Sequence, residues 1–364
     1  MVGRTLALLL ARQRLRVGLV MRPNSTKEDV RAYSLNSRSR DLLSSLRCWP
    51  EPQHATPVQH MRVWGDEGGF VRFDSPTPDG LTWIVDVPVL EAQLGQTLQH
   101  QAEITCLQQP EAAALTVICE GRHSSTRTEL GVGFDALPYQ QHAVAARVRG
   151  SMAHRQQAFQ WFDHRGDGLE ILALLPLGGA QGDSAALVWS LPPVRAQHMM
   201  ALDGAAFCDA LSEASHGVLG SFELISERAM WPLQLARAQQ WTGTFANGSA
   251  WALAGDAAHT IHPLAGLGLN LGLADAAELA QVLQARQTTD YWRSVGDRHF
   301  MRRYERARKA NMLPTWLACD ALQRLFAHPS NAVQQLRNWG MKSFDTLTPL
   351  KRWTMQQAMH PQHD

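Results

Sequence analysis

The sequence is short of every feature that marks a nucleic-acid binder, a membrane span or a disulfide scaffold. Its 34 Lys and Arg stand against 33 Asp and Glu, a net charge of +1 over 364 residues. That leaves no basic surplus for nucleic-acid phosphates. The longest wholly apolar run near the N-terminus, Leu6 to Ala11, falls well short of the roughly 20 residues that cross a bilayer. Arg12, Arg14 and Arg16 follow it with no small-residue cleavage site, which argues against a secretory signal. The five cysteines (Cys48, Cys106, Cys119, Cys208, Cys319) form no CxxC pair and have no regular spacing. A disulfide framework and a zinc site are both poor readings of them, and a reducing cytoplasm is the better one. The 15 histidines include no HExxH and no His/Asp cluster, so no metal ligand is expected. There is no internal repeat and no low-complexity tract. The 12 tryptophans are scattered and read as core or interface residues. Apolar residues, at 45%, are not scarce. They exclude disorder, and the length suits two domains or one large α/β enzyme.

Periodicity sets the order of elements. Residues 3–12 carry apolar positions at helical spacing, and residues 16–21 read as a short buried strand. A helix is predicted over 29–46, with Leu35, Leu42, Leu43 and Leu46 on one face. Residues 59–87 alternate apolar and polar, an antiparallel pattern. Residues 90–101 return to helix, and 114–119 form a continuous apolar strand. Between 143 and 233 come several strands, clearest at 171–175 and 185–191, with a helix over 206–213. Residues 251–254 form a strand that runs into Gly255-Asp256, and a long helix follows over 269–283. After Tyr291 the chain reads as helical. The fold class predicted is α/β: one domain in three pieces (1–57, 88–147, 241–290), interrupted by a β-rich domain (strands in 58–87, then 148–240), with a helical tail over 291–364.

The densest chemistry lies in residues 255–276. A strand ends at Gly255, the carboxylate of Asp256 follows, Pro263 sits in a loop, and small residues from Gly266 to Gly272 open a helix. Glycines let a flat ligand approach the backbone, and the helix N-terminus near Gly268 offers unpaired N–H groups to negative charge. An ordinary glycine-rich strand-to-helix turn has the same composition. The block resembles the second flavin motif of FAD-dependent aromatic hydroxylases, most closely those of ubiquinone biosynthesis. The resemblance implies a Rossmann-like FAD-binding domain. It places Asp256 of the Gly255-Asp256 pair on the FAD ribityl chain and Pro263 at the reacting edge of the ring. The helix start at Gly268-Leu269-Asn270 would point at the pyrimidine end. Leu267 stands between Gly266 and Gly268, where the family usually has Gln.

Three further matches support the resemblance. Residues 119–127 are similar to the family's DGxxSxxR motif through Gly121, Ser124 and Arg127, with Glu120 in place of Asp. The motif implies a position between FAD and the pyridine nucleotide; read alone, the segment is also compatible with a solvated basic loop. Arg31-Ala32-Tyr33-Ser34-Leu35 is similar to the family's Arg-Ala-x-x-Leu helix start, in which the Arg reaches the FAD pyrophosphate. Gly3 and the helix after it match the third glycine of GxGxxG. The preceding strand and first two glycines have no counterpart, and Met21-Arg22 stands where the family has an acidic residue. The expectation is therefore that Met1 is an internal methionine of a longer natural chain.

The activity so implied is hydroxylation of an aromatic ring of a polyprenylated ubiquinone precursor. NAD(P)H is the co-substrate, O2 the oxidant, and a flavin C4a-hydroperoxide the oxygen donor. No protein-side catalytic acid or base is required, and none is assigned. His259 and His262 read as structural fillers of the turn. An apolar tunnel built partly from Trp and Leu is expected in the β-rich domain. The partners implied are the apolar substrate and O2, with no nucleic acid. The resemblance also allows peripheral contact with the inner membrane or with a ubiquinone-biosynthesis complex. Two other classes stay open: a related flavin monooxygenase acting on another apolar molecule, and a non-catalytic scaffold that has lost FAD.

Overall fold

The computed structural model describes residues 1–21, 29–65, 68–165, 168–179, 181–261 and 268–327. Its helices are α1 (Val2–Arg12), α2 (Ser37–Ser45), α3 (Val87–Gln99), α4 (Ser125–Glu129), α5 (Pro193–Ala201), α6 (Gly204–Ala214), α7 (Gly268–Thr289) and α8 (Arg298–Ala327). Two parallel pairings define the first domain. Val17–Val20 lies beside Ile104–Leu107, and Leu115–Ile118 lies beside Ala250–Leu253, whose other edge takes Thr242–Thr244. Parallel neighbours need long crossovers, and these strands are joined by helices or by the whole β-rich domain. The α1 helix serves two cores at once. Leu6 and Leu10 pack with Trp241, Leu253, Leu279 and Tyr304, while Ala7 and Leu8 pack with Leu35, Leu43, Leu90 and Leu273. A helix apolar on so many sides must be buried, and it is.

The helix expected over 29–46 is only half right. Ala32–Leu35 is a strand, paired antiparallel with Thr82–Asp86, which also pairs with Ala55–Val58. The helix starts at Ser37 because Asn36 is extended and its side-chain oxygen accepts from the Ser39 N–H at 3.0 Å. An Asn at that position ends the reach of the helix towards the N-terminus. Arg31 therefore does not sit at a helix start. Leu35 and Leu43 still reach one core, from a strand and a helix respectively.

The β-rich domain is a nine-stranded sheet. Its central strand, Phe134–Gly150, is flanked by Ser184–Leu191 and Ala229–Ala238; Gly168–Pro176, Gln157–Arg165, His60–Trp64 and Phe70–Asp74 follow outward. One face is covered by α5 and α6. There Val144, Leu187, Trp189, Trp161 and Phe159 pack against Met199, Phe207 and Leu211. Side chains alternate across a strand, so Ala143, Ala145 and Arg147 face the other way. Arg147 makes a bidentate pair with Asp86 (2.9 and 2.7 Å), which turns this second face towards the first domain. Helix α5 was not predicted; Pro193 occupies its start, where proline is tolerated. Among the described residues, no helix is long and apolar enough to cross a membrane.

Candidate functional site

The site begins where the Ala250–Leu253 strand ends. Gly255 turns the chain at φ +63, a conformation costly for any residue with a Cβ. A Cβ on Gly255 would lie 3.1 Å from the Val2 Cγ2, and one on Gly272 would lie 2.6 Å from the same methyl and 3.3 Å from the Gly255 Cα. The first turn of α1, the 255–257 turn and the start of α7 thus touch one another through these two glycines. On that turn Asp256 is exposed, and its carboxylate has no hydrogen-bond partner among the described residues. The protein mass around it pushes its carboxyl above the usual range, against the pull of His259, Arg31 and Arg122.

A second carboxylate, Asp275, is fully buried on α7 and holds the turn from behind. It accepts from the Gly255 N–H (2.8 Å), from His259 Nε2 (2.7 Å) and from Arg308 Nε (2.7 Å). Burial would lift its pKa, but His259 and Arg308 outweigh that and hold it below the ordinary carboxylate range. The His259 ring stacks on Trp241 with centroids 5.1 Å apart. From α8, the Tyr304 hydroxyl donates to the Leu253 carbonyl, and Glu305 accepts from the Trp241 N–H and the Thr242 hydroxyl. Sequence reasoning passed over Asp275 and Arg308. The available signal was a carboxylate among Leu273, Ala274 and Ala276, on a helix face whose period places it inside the core.

Glu305 is also kept below the usual range: burial raises it, while Lys309, Thr242 and the Trp241 N–H lower it further than burial lifts it. A depressed carboxyl contributes stability above its unfolded pKa and loses it as pH falls through the folded value. The Glu305→Gln variant should therefore show a flatter Tm-against-pH curve below about pH 4.5 than the parent. Thermal melts across that window check this, and parallel curves would reject it.

The segment matching the DG motif is built around two side chains. Glu120 accepts from the Ser124 hydroxyl (2.6 Å), the Thr126 N–H (3.1 Å) and the Thr126 hydroxyl (2.8 Å), so the longer acid caps the first turn of α4. Gly121 supplies a φ of +82. Arg127 is buried, and its guanidinium lies 3.6 Å from the Phe134 ring centre. It donates to the carbonyls of Ala257 and Arg122, both at 2.9 Å. The solvated-loop alternative fails for this residue, which is tied to the Asp256 turn.

The remaining expected residues divide. A Cβ on Gly3 would meet the Cys119 Cβ at 3.2 Å, so this glycine brings α1 close to the end of the Leu115–Ile118 strand. Leu269 is core. The Asn270 side chain is committed: it accepts from the Asn36 N–H and the Ser39 hydroxyl and donates to the Ser34 carbonyl. What the Gly268-Leu269-Asn270 turn retains for a ligand is its backbone N–H groups. Arg31 is clasped by Asp29 through Nε at 2.8 Å and Nη2 at 2.6 Å. Pro263, Gly266 and His262 lie outside the described residues.

The tryptophans expected to wall a tunnel also divide. Trp161 and Trp189 are solid core beneath α5 and α6. On the opposite face, Tyr139, Ala143, Leu233 and Ile261 cluster with half-buried Val188, Trp231 and Trp316. The Trp316 indole N–H is buried there without a partner among the described residues. The arrangement therefore offers a carboxylate with no hydrogen-bond partner among the described residues, two helix N-terminal turns beside it, and an apolar sheet face.

Comparison with known proteins agrees with this geometry. The FAD binding domain family matches residues 90–311, more than half of the chain. Ubiquinone hydroxylase UbiL of Rhodospirillum rubrum is 32% identical over 247 residues, covering 68% of this chain and 54% of that protein. The chain thus spans about half the length of that relative. The 3-demethoxyubiquinol 3-hydroxylase of Escherichia coli is 27% identical over 391 aligned positions, covering 99% and 96%. Among solved structures, PqsL, a probable FAD-dependent monooxygenase from Pseudomonas aeruginosa, superposes with a TM-score of 0.71 at 20% identity, covering 94% of this chain and 96% of that one.

Proposed function

The chain belongs to the FAD binding domain family, and from that membership we propose that it is an FAD-dependent monooxygenase that hydroxylates an aromatic ring of a polyprenylated ubiquinone precursor. When bound, FAD supplies the chemistry: two electrons from NAD(P)H, one oxygen atom of O2 to the ring and the other to water. The chain's own residues bind, orient and exclude water. Asp256 would accept hydrogen bonds from the ribityl hydroxyls, and its lack of a hydrogen-bond partner among the described residues is the observation that carries this reading. The Gly255 turn keeps that carboxylate fixed, and the first turn of α1 beside it favours the anionic pyrophosphate. Arg31 exchanges its clasp on Asp29 for the same phosphates. Backbone N–H groups at Gly268 to Asn270 face the pyrimidine end. The sheet face of Ala143, Val188 and Trp231 receives the apolar ring and keeps water away.

The reading is tested by reconstitution. The purified chain should retain FAD and oxidise NAD(P)H faster when a prenylated phenol is added, with a hydroxylated product in the extract. A chain that folds but never retains FAD would overturn the proposal. Stimulation by small apolar aromatics but not by prenylated phenols would move it to another substrate class.

A further inference from the structure

The buried carboxylate of Asp275 ties together three segments distant in sequence. Its Oδ2 accepts both the Gly255 N–H and His259 Nε2, while Oδ1 accepts Arg308 Nε from α8. Arg308 also reaches the Leu271 carbonyl, and both Arg308 and Asp275 are almost wholly excluded from solvent. A buried ionic group of this kind contributes little net stability compared with an apolar replacement, but its partners are fixed in place while it is there. The group fixed most directly is the amide of Gly255, one residue before Asp256.

We propose that Asp275 is a positioning residue for FAD, and that Arg308 acts through it, so that α8 sets the place of the Asp256 carboxylate without touching the cofactor. The inference rests on the reading that Asp256 holds FAD. It differs from a general packing role in a specific way. Among the described residues the Gly255 N–H has no other acceptor, and no other side chain links α8 to that amide.

The isosteric Asp275→Asn change separates the possibilities. If its amide oxygen keeps Gly255 and His259, its NH2 faces the Arg308 guanidinium, donor against donor. If the oxygen turns to Arg308, the NH2 faces the Gly255 N–H, which cannot change its role as a histidine nitrogen can. Either orientation loses a bond at one end.

The test uses the full chain as apoprotein. FAD is titrated by quenching of its fluorescence, the bound flavin spectrum is recorded, and hydrogen exchange is followed in the peptide containing residues 254–258. The D275N variant should raise the Kd for FAD by about tenfold or more, a change of about 1.4 kcal/mol per tenfold, shift the bound spectrum and speed exchange in that peptide. Arg308→Lys keeps the charge and should fall between parent and D275N; it decides the matter if D275N does not fold. Leu211→Ala, in the core beneath α5 and α6, lowers Tm far from the turn and should leave both Kd and exchange at 254–258 unchanged. A parental Kd and exchange rate in D275N would overturn the proposal, as would an equal loss of affinity in L211A. If the parent itself binds no FAD, the functional reading fails, and exchange at 254–258 still decides whether Asp275 holds the turn.

Discussion

Replacing Asp256 with Asn is expected to raise the Kd for FAD by about a hundredfold while leaving the Tm of the apoprotein unchanged or slightly higher. Two hydrogen bonds to an ionised acceptor contribute about 1.5–3 kcal/mol each; Asn keeps one neutral acceptor, worth about 1 kcal/mol, and turns a donor towards the other hydroxyl, so the loss is about 3 kcal/mol, or two factors of ten. The stability half of the expectation follows from the raised carboxyl of Asp256. A carboxyl raised on folding costs stability once it ionises. That cost is absent at pH values below its unfolded pKa and is carried in full above its folded one. At neutral pH the Asn variant sheds it. A carboxylate with no partner among the described residues, kept at a cost to its own fold, fits a group retained for a ligand. Titration of FAD and melting of the apoprotein measure the two halves separately. A parallel fall in both would recast Asp256 as structural.

The Arg127→Ala change should cost about 3 kcal/mol of folding stability. It leaves the Ala257 and Arg122 carbonyls without their donor, about 1 kcal/mol each at the low end of the range for buried groups. It also removes the contact with Phe134, worth about 1 kcal/mol for a partly desolvated guanidinium on a ring. Urea unfolding followed by two probes gives the value, provided both report one transition. A loss under about 1 kcal/mol would show that water takes over both carbonyls. Arg127→Lys should recover less than half of the loss, since one ammonium cannot span both carbonyls and stack on the ring. FAD affinity should fall with R127A as well, because Ala257 adjoins Asp256 in the same turn.

Local spacing made the Asp256 turn readable. Gly255 and Asp256 follow directly on the Ala250–Leu253 strand and Gly272 lies in the first turns of α7, and the glycines' backbone roles follow from residue type. Glu120 was readable as a position but not as a role; only geometry shows that its extra methylene carries the carboxylate to the start of α4. The strand at Ala32–Leu35 was missed because its pairing with Thr82–Asp86 is tertiary, and four residues with Leu at the end suit helix and strand equally. Asp275 and Arg308 were invisible for a related reason. They are 33 residues apart, and nothing in either neighbourhood names the other as its partner. The division of the tryptophans between sheet faces needed the register of the central strands, which composition does not contain.

The burial of α1 carries a consequence for biosynthesis. One side of the helix is covered from distant sequence: Leu6 and Leu10 pack with Trp241, Leu253, Leu279 and Tyr304, and just past its end Gln13 donates to the carbonyl of Ala280 while Gln287 donates back to the carbonyl of Gln13. A ribosome releasing about 5–20 residues per second must make over 260 more residues before α7 is available, so that side of the helix waits tens of seconds without its cover. For that interval Leu6 and Leu10 lack their partners, while Leu8 can already meet Leu35, Leu43 and Leu90. The β-rich domain, whose strands lie between, can close first. Yield in expression should therefore depend on chaperone supply more steeply than the finished protein's stability would suggest.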